Sequence, residues 1–222
     1  MTARPAPVGT GPYPPGPYLL FDIDGTLVDS SRLITDVWRQ VAAEFGADAD
    51  AILAVCHGRR DAEVVPMFFA AADVPAVMAR IQVLEAAGGD LLSPVPGATE
   101  LLAALPADRW AAVTSGPSRL MTGRLRSAGL PVPAVLVAAD HVAEGKPDPE
   151  GYLAAARALG AEPADCVVIE DAPAGVTAGR RAGMFVVALT TTHRAPALGE
   201  AHHVLDRLAE LPTALAARAR TS

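Results

Sequence analysis

From residue 18 onward, short runs of apolar residues alternate with longer stretches in which apolar positions recur every three or four residues. The runs predict strands over 18–23, 110–115, 134–139, 166–171 and 185–189, with a short sixth at 203–205. The longer stretches predict helices over 98–105, 117–128, 149–159, 174–182 and 208–217. Gly129, Gly160 and Gly183 follow three of these helices, where C-terminal caps belong. Each strand is almost continuously apolar, as expected when helices cover both faces of a largely parallel sheet.

One interval breaks the alternation. Residues 31–94 contain no convincing strand, but Leu33, Val37, Val41 and Phe45 recur every fourth residue, with Ile34 and Trp38 beside them. Further helix is expected over 51–56, 66–72 and 76–87, and "SPVPG" at 93–97 reads as a return linker. The predicted organisation is therefore an α/β core of residues 18–31 and 95–222, with a helical module of residues 32–94 inserted after the first strand. Such an insert covers the carboxyl end of that strand, where open α/β sheets bind ligands.

Composition narrows the picture. The chain has 222 residues, 51% of them hydrophobic, enough for a substantial core. Its start, residues 1–17, is rich in Pro and Gly and reads as a disordered tail without the apolar stretch of a secretory signal. No run is long enough to span a bilayer, so a cytoplasmic protein is expected. A formal net charge of -7 without basic runs excludes a general affinity for nucleic acid or anionic lipid. The two cysteines, Cys56 and Cys166, lack metal-ligand spacing and are expected to be reduced and buried. Nothing requires more than a monomer.

Polar chemistry is concentrated at the strand ends. The first run ends in Asp22 and Asp24, the second in Thr114 and Ser115, the third leads to Lys146 in "GKPDPE", and the fourth ends in Glu170 and Asp171. In a parallel sheet these ends converge on one crevice. Carboxylates crowded there are tolerable around a hard divalent cation such as Mg²⁺, which takes few carboxylates and keeps oxygens of water and substrate phosphate. Lys146 would supply a compact positive charge, Thr114 and Ser115 phosphate-binding hydroxyls and amides, and Gly25 a sharp turn after Asp24.

In these four motifs, "DIDGT", Thr114–Ser115, "GKPDP" and "EDAPAG", the chain resembles the haloacid dehalogenase superfamily of aspartate-nucleophile phosphohydrolases. The resemblance runs from Tyr18 to about Leu208 and implies a Rossmann-like core with an inserted helical cap. It further implies that Asp22 is the nucleophile, Asp24 the general acid and base, and Lys146 the charge that bridges nucleophile and phosphoryl group. The implied Mg²⁺ ligands are the Asp22 side chain, the Asp24 backbone carbonyl and the Asp171 side chain, with Glu170 direct or outer-shell. "HGRR", His57 to Arg60, is similar to a segment of the 2-deoxyglucose-6-phosphate, glycerol-phosphate and hexitol-phosphate phosphatases, so His57 and Arg60 are expected to reach the substrate. The β-phosphoglucomutases carry instead a Lys-Gly pair and an arginine three residues later; His57 and Asp61 occupy those places. The expectation is a phosphatase of small sugar or polyol phosphates. The alternatives are a phosphoglucomutase-type isomerase and a non-enzymatic aspartyl-phosphate or binding module.

Overall fold

The structure, a computed structural model, describes residues 16–219. The tail expected at 1–17 therefore falls, up to residue 15, outside the described residues. Six parallel strands form the central sheet: β1 (Tyr18–Phe21), β4 (Trp110–Val113), β5 (Leu136–Val137), β6 (Cys166–Glu170), β7 (Phe185–Leu189) and β8 (His203–Leu205), in the order β5-β4-β1-β6-β7-β8. Two further strands, β2 (Val28–Asp29) and β3 (Ser93–Pro94), pair antiparallel in a separate ribbon.

The sheet is buried on both sides, and its strands sort their residues with period two. Leu19, Phe21, Val167, Ile169, Val187 and Leu189 enter one apolar cluster, while Leu20, Cys166, Val168, Val186 and Ala188 enter the other. The first cluster is completed by α5 (Ala98–Ala104) and α6 (Ser118–Ser127), the second by α7 (Glu150–Ala158) and α8 (Pro173–Arg181). This accounts for strands that read as unbroken apolar runs. Both cysteines are free and buried, and burial pushes their thiols up to about 12 for Cys56 and about 11 for Cys166, which keeps them unreactive.

Four helices, α1 (Ser31–Phe45), α2 (Ala49–Leu53), α3 (Asp61–Phe68) and α4 (Val74–Ala87), pack around a third cluster of their own. Leu33, Val37, Trp38 and Val41 form the buried stripe of α1, and Val64, Val65, Val77 and Ile81 face it. The β2–β3 ribbon carries the chain out of the core and back. Of its strands only β3 falls within 31–94, in the stretch read as a linker, and a strand of two residues has no readable period.

Three elements differ from expectation. The strand expected over 134–139 pairs only at Leu136 and Val137, where its backbone meets Ala112 and Val113. The helix expected from Pro66 begins at Asp61 instead: Arg60 is extended, Asp61 and Glu63 occupy the first turn, and Pro66 lies inside the helix. Acidic residues suit the positive end of the helix dipole, and this outweighs the preference of Pro for the first position. The C-terminal helix expected over 208–217 divides into a short 3₁₀ turn, Leu208–Glu210, and α9 (Leu211–Ala219).

Candidate active site

The carboxyl ends of β1, β4 and β6 place Asp22, Thr114, Glu170 and Asp171 side by side, and the loop after β5 brings in Lys146; all five are buried. Asp22 leaves the sheet immediately after its amide donates to the Ile169 carbonyl at 2.9 Å. Lys146 Nζ donates to Asp22 Oδ1, to Glu170 Oε1 at 2.6 Å and to the Val113 carbonyl at 3.2 Å. Glu170 is held from both sides: Oε1 also accepts from the Tyr152 hydroxyl at 2.8 Å, and Oε2 from the amides of Asp171 at 3.0 Å and Ala172 at 3.3 Å. Asp171 accepts from Thr26 Oγ1 at 3.3 Å and from Thr192 Oγ1.

Two glycines make room for this crowding. Gly25 has φ +85, and a Cβ there would lie 2.3 Å from Asp171 Oδ2. A Cβ on Gly175 in α8 would lie 1.7 Å from Glu170 Oε1.

Asp22, Glu170 and Asp171 present carboxylate oxygens within 4.8 Å of one another. Three buried carboxylates face one ammonium, and the electrostatics show the imbalance. Burial first, only partly offset by Lys146, pushes Asp22 well above the usual carboxylate range. Burial, then the Glu170 carboxylate, pushes Asp171 up to about 8. For Lys146 burial works against the charge, yet Asp22 and Glu170 outweigh it and hold the ammonium above its ordinary value. Buried oxygens this close, with surplus negative charge, fit a divalent cation.

Asp24 belongs to a second group. Arg124, on α6 and only 4% exposed, reaches Asp24 Oδ2 through Nη1 at 2.6 Å and Glu85 Oε1 of α4 through Nη2 at 2.6 Å. Asp61, at the first position of α3, lies close enough to interact electrostatically with Arg124 and Asp24. Burial is the main reason that Asp61 rises to about 6 and Glu85 to about 7, Arg124 opposing both shifts. A cleft of about 60 Å³ runs between the two groups, lined by Asp22, Asp24, His57, Asp61, Glu85 and Arg124 among others.

The sequence-predicted residues divide accordingly. Asp22, Lys146, Glu170, Asp171 and Thr114 meet at the sheet ends, with Gly25 beneath them. The Ser115 hydroxyl is not free: it donates to the Gly58 carbonyl of the helical module at 2.9 Å. His57 lines the cleft and meets His193 edge-on at 5.9 Å, with burial, then His193, lowering its pKa. Arg60 points elsewhere, donating to the carbonyls of Ala143 at 2.9 Å and Val142 at 3.2 Å. It bridges the module to the Lys146 loop.

Sequence reasoning passed over Tyr152, Thr192, Glu85 and Arg124, and it named Asp61 only as the residue that stands where the mutases carry an arginine. For two of them a signal existed. Met121, Arg124, Leu125 and Ala128 lie at helical spacing, as do Val77, Ile81 and Glu85, so each charge falls on an apolar stripe. A charge on such a stripe requires a buried partner.

The chain matches the haloacid dehalogenase-like hydrolase family over residues 18–183. It is 40% identical over 200 residues to hexitol phosphatase A of Escherichia coli (strain K12), covering 86% of this chain and 91% of that one. It is 41% identical over 201 residues to validoxylamine A 7'-phosphate phosphatase of Streptomyces hygroscopicus subsp. limoneus, covering 86% and 94%. Among solved structures, a haloacid dehalogenase family hydrolase from Deinococcus radiodurans R1, with bound phosphate and sodium, superposes with a TM-score of 0.72. It shares 32% identity, over 92% of this chain and 97% of that one.

Proposed function

The chain belongs to the haloacid dehalogenase-like hydrolases and acts on phosphoric monoesters, and we propose that its substrates are small sugar or polyol phosphates, hydrolysed with Mg²⁺ through an aspartyl-phosphate on Asp22. The observation that carries this reading is that two aspartates two residues apart have different partners. Asp22 is ion-paired to Lys146 among buried carboxylates, whereas Asp24 turns to Arg124 across the cleft.

On this reading an Asp22 carboxylate oxygen attacks phosphorus as the bond from phosphorus to the substrate oxygen breaks, and Asp24 delivers a proton to the departing alkoxide. In the second displacement Asp24 takes a proton from water, the water oxygen attacks phosphorus, and the bond to Asp22 breaks to release inorganic phosphate. Lys146 favours the ionised form of Asp22 against its burial and faces the charge of the transferring group. Thr114, the Ser115 amide and the backbone turn at Gly25 are the candidate partners of the phosphate oxygens, the Ser115 hydroxyl being engaged by the Gly58 carbonyl. Mg²⁺ would be held by Asp22, the Asp24 carbonyl and Asp171, with Glu170, whose oxygens already accept four hydrogen bonds, orienting the set; it would supply charge neutralisation for the phosphate.

Residues 32–94 act as a cap over a core of residues 18–31 and 95–222. The cleft beneath has room for a handful of waters, so a sugar phosphate enters only when the cap moves, and His57 then approaches from the cap side. Such a lid suits a small substrate. Among the described residues no helix is long and apolar enough to cross a membrane.

A phosphoglucomutase-type isomerase is the second reading. Asp61 weighs against it, because a second phosphate at that end of the cleft would meet a carboxylate. The test is inorganic phosphate release from hexose, deoxyhexose, hexitol and glycerol phosphates, with and without Mg²⁺, beside Asp22→Asn. Mg²⁺-dependent release that Asp22→Asn abolishes is the expected result. Interconversion of hexose phosphates without release would establish the isomerase.

A further inference from the structure

We propose that Arg124 is a positioning residue which, by binding Glu85 of the cap and Asp24 of the core at once, sets the Asp24 carboxylate for proton transfer only when the cap is seated. The inference rests on the reading of Asp24 as acid and base. Three observations carry it. Arg124 is 4% exposed, and its two ion pairs, each 2.6 Å, run to different modules. It occupies Oδ2 of Asp24 alone; Oδ1 is buried and has no hydrogen-bond partner among the described residues, beside the cleft where the leaving-group oxygen must lie. Arg124 Nε is likewise buried and unpaired, so the side chain retains a donor aimed at neither carboxylate.

The cost of the arrangement argues that it does more than hold the fold together. A guanidinium, which cannot shed its proton, is buried on the apolar stripe of α6. Glu85 sits in the last turn of α4, the end of a helix where a negative charge is least favoured. A buried pair of this kind is poor evidence for stability and strong geometry for fixing one arrangement. With the cap displaced, Glu85 leaves and the guanidinium loses one of its two anchors. Asp24 then loses the fixed orientation that proton transfer requires.

The test separates proton transfer from general damage through the leaving group. An alkoxide leaving from glycerol phosphate or a hexitol phosphate needs a proton; the phenolate leaving from p-nitrophenyl phosphate does not. Because kcat/KM reports the steps up to the first displacement, the ratio of kcat/KM for the polyol phosphate to that for p-nitrophenyl phosphate isolates the acid. Arg124→Gln and Glu85→Gln are each expected to lower this ratio about tenfold or more, with Arg124→Lys between wild type and Arg124→Gln.

Equal losses on both substrates would overturn the inference, as would an unchanged ratio in Glu85→Gln. If Arg124→Gln fails to fold, as judged by thermal melting, Arg124→Lys and Glu85→Gln decide the matter. Asp24→Asn tells the two possible failures apart. If it leaves the ratio unchanged, the acid-base reading falls and this inference with it; if it lowers the ratio while the other variants do not, only this inference falls.

Discussion

Replacing Glu85 by glutamine tests whether the cap–core cluster is held at the expense of stability. The Glu85 side chain is 12% exposed, and burial first, opposed by Arg124 and reinforced by Asp61 and Asp24, lifts its carboxyl from 4.5 to about 7. A carboxyl raised in the folded state contributes stability that is fully present below about 4.5 and lost as pH rises through about 7. At about 1.4 kcal/mol per pH unit, that displacement is at most on the order of 3 kcal/mol. Glutamine mimics the protonated acid at every pH. The difference in Tm between Glu85→Gln and wild type should therefore be small at pH 5, about a quarter of its full size, and grow in favour of the variant by pH 8. For a chain of this length, about 3 kcal/mol corresponds to roughly 6 to 12 °C at the upper limit. Thermal melts at pH 5, 6, 7 and 8 in the presence of a chelator measure it. Parallel pH profiles, or a variant less stable than wild type at pH 8, would refute the reasoning.

Three further perturbations address the sheet-end site. Lys146→Met removes the only ammonium that, among the described residues, faces Asp22 and Glu170, and kcat should fall about 100- to 1,000-fold with the circular dichroism spectrum retained; a loss below tenfold would count against its role. Gly175→Ala places a Cβ where Glu170 Oε1 lies, so the carboxylate or α8 must shift. The Mg²⁺ concentration for half-maximal activity should rise about tenfold or more, and an unchanged value would mean that Glu170 does not orient the metal ligands. Chelation should stop phosphate release and added Mg²⁺ restore it; full turnover by metal-free protein would refute the reading of Asp22, Glu170 and Asp171 as a cation site.

What was legible beforehand follows from where each constraint acts. The strands could be read because burial on both faces leaves an unbroken apolar run, and the site because Asp22, Thr114, Glu170 and Asp171 each end such a run. A parallel sheet does the rest by aligning those ends. Lys146 stands apart from any strand, and its motif rather than its periodicity identified it. The pairings between modules were not legible. Glu85 and Arg124 each violate an apolar stripe, which announces a buried partner without saying which one, since that depends on how the cap lies across the core. Arg60 was assigned to substrate by its motif, yet its guanidinium meets the Val142 and Ala143 carbonyls, in a loop whose path no local pattern encodes.

The cluster around Arg124 also bears on which substrates the enzyme would turn over well. Asp24, Asp61 and Glu85 surround one guanidinium, so seating the cap buries more negative than positive charge. On the proposed reading that closure is unfavourable by itself, and contacts between substrate and cap must offset it. Hydroxyl groups suit the task, because they can donate to Asp61 and to carboxylate oxygens that Arg124 leaves free, whereas a second anionic group would add to the repulsion. A phosphate ester with a bare aromatic leaving group would reach the same nucleophile but give little back for closure. Its weaker saturation should appear in KM, while the chemistry at Asp22 proceeds. Recognition of the polyol and orientation of the acid would then be one event, both transmitted through the contact between Glu85 and Arg124.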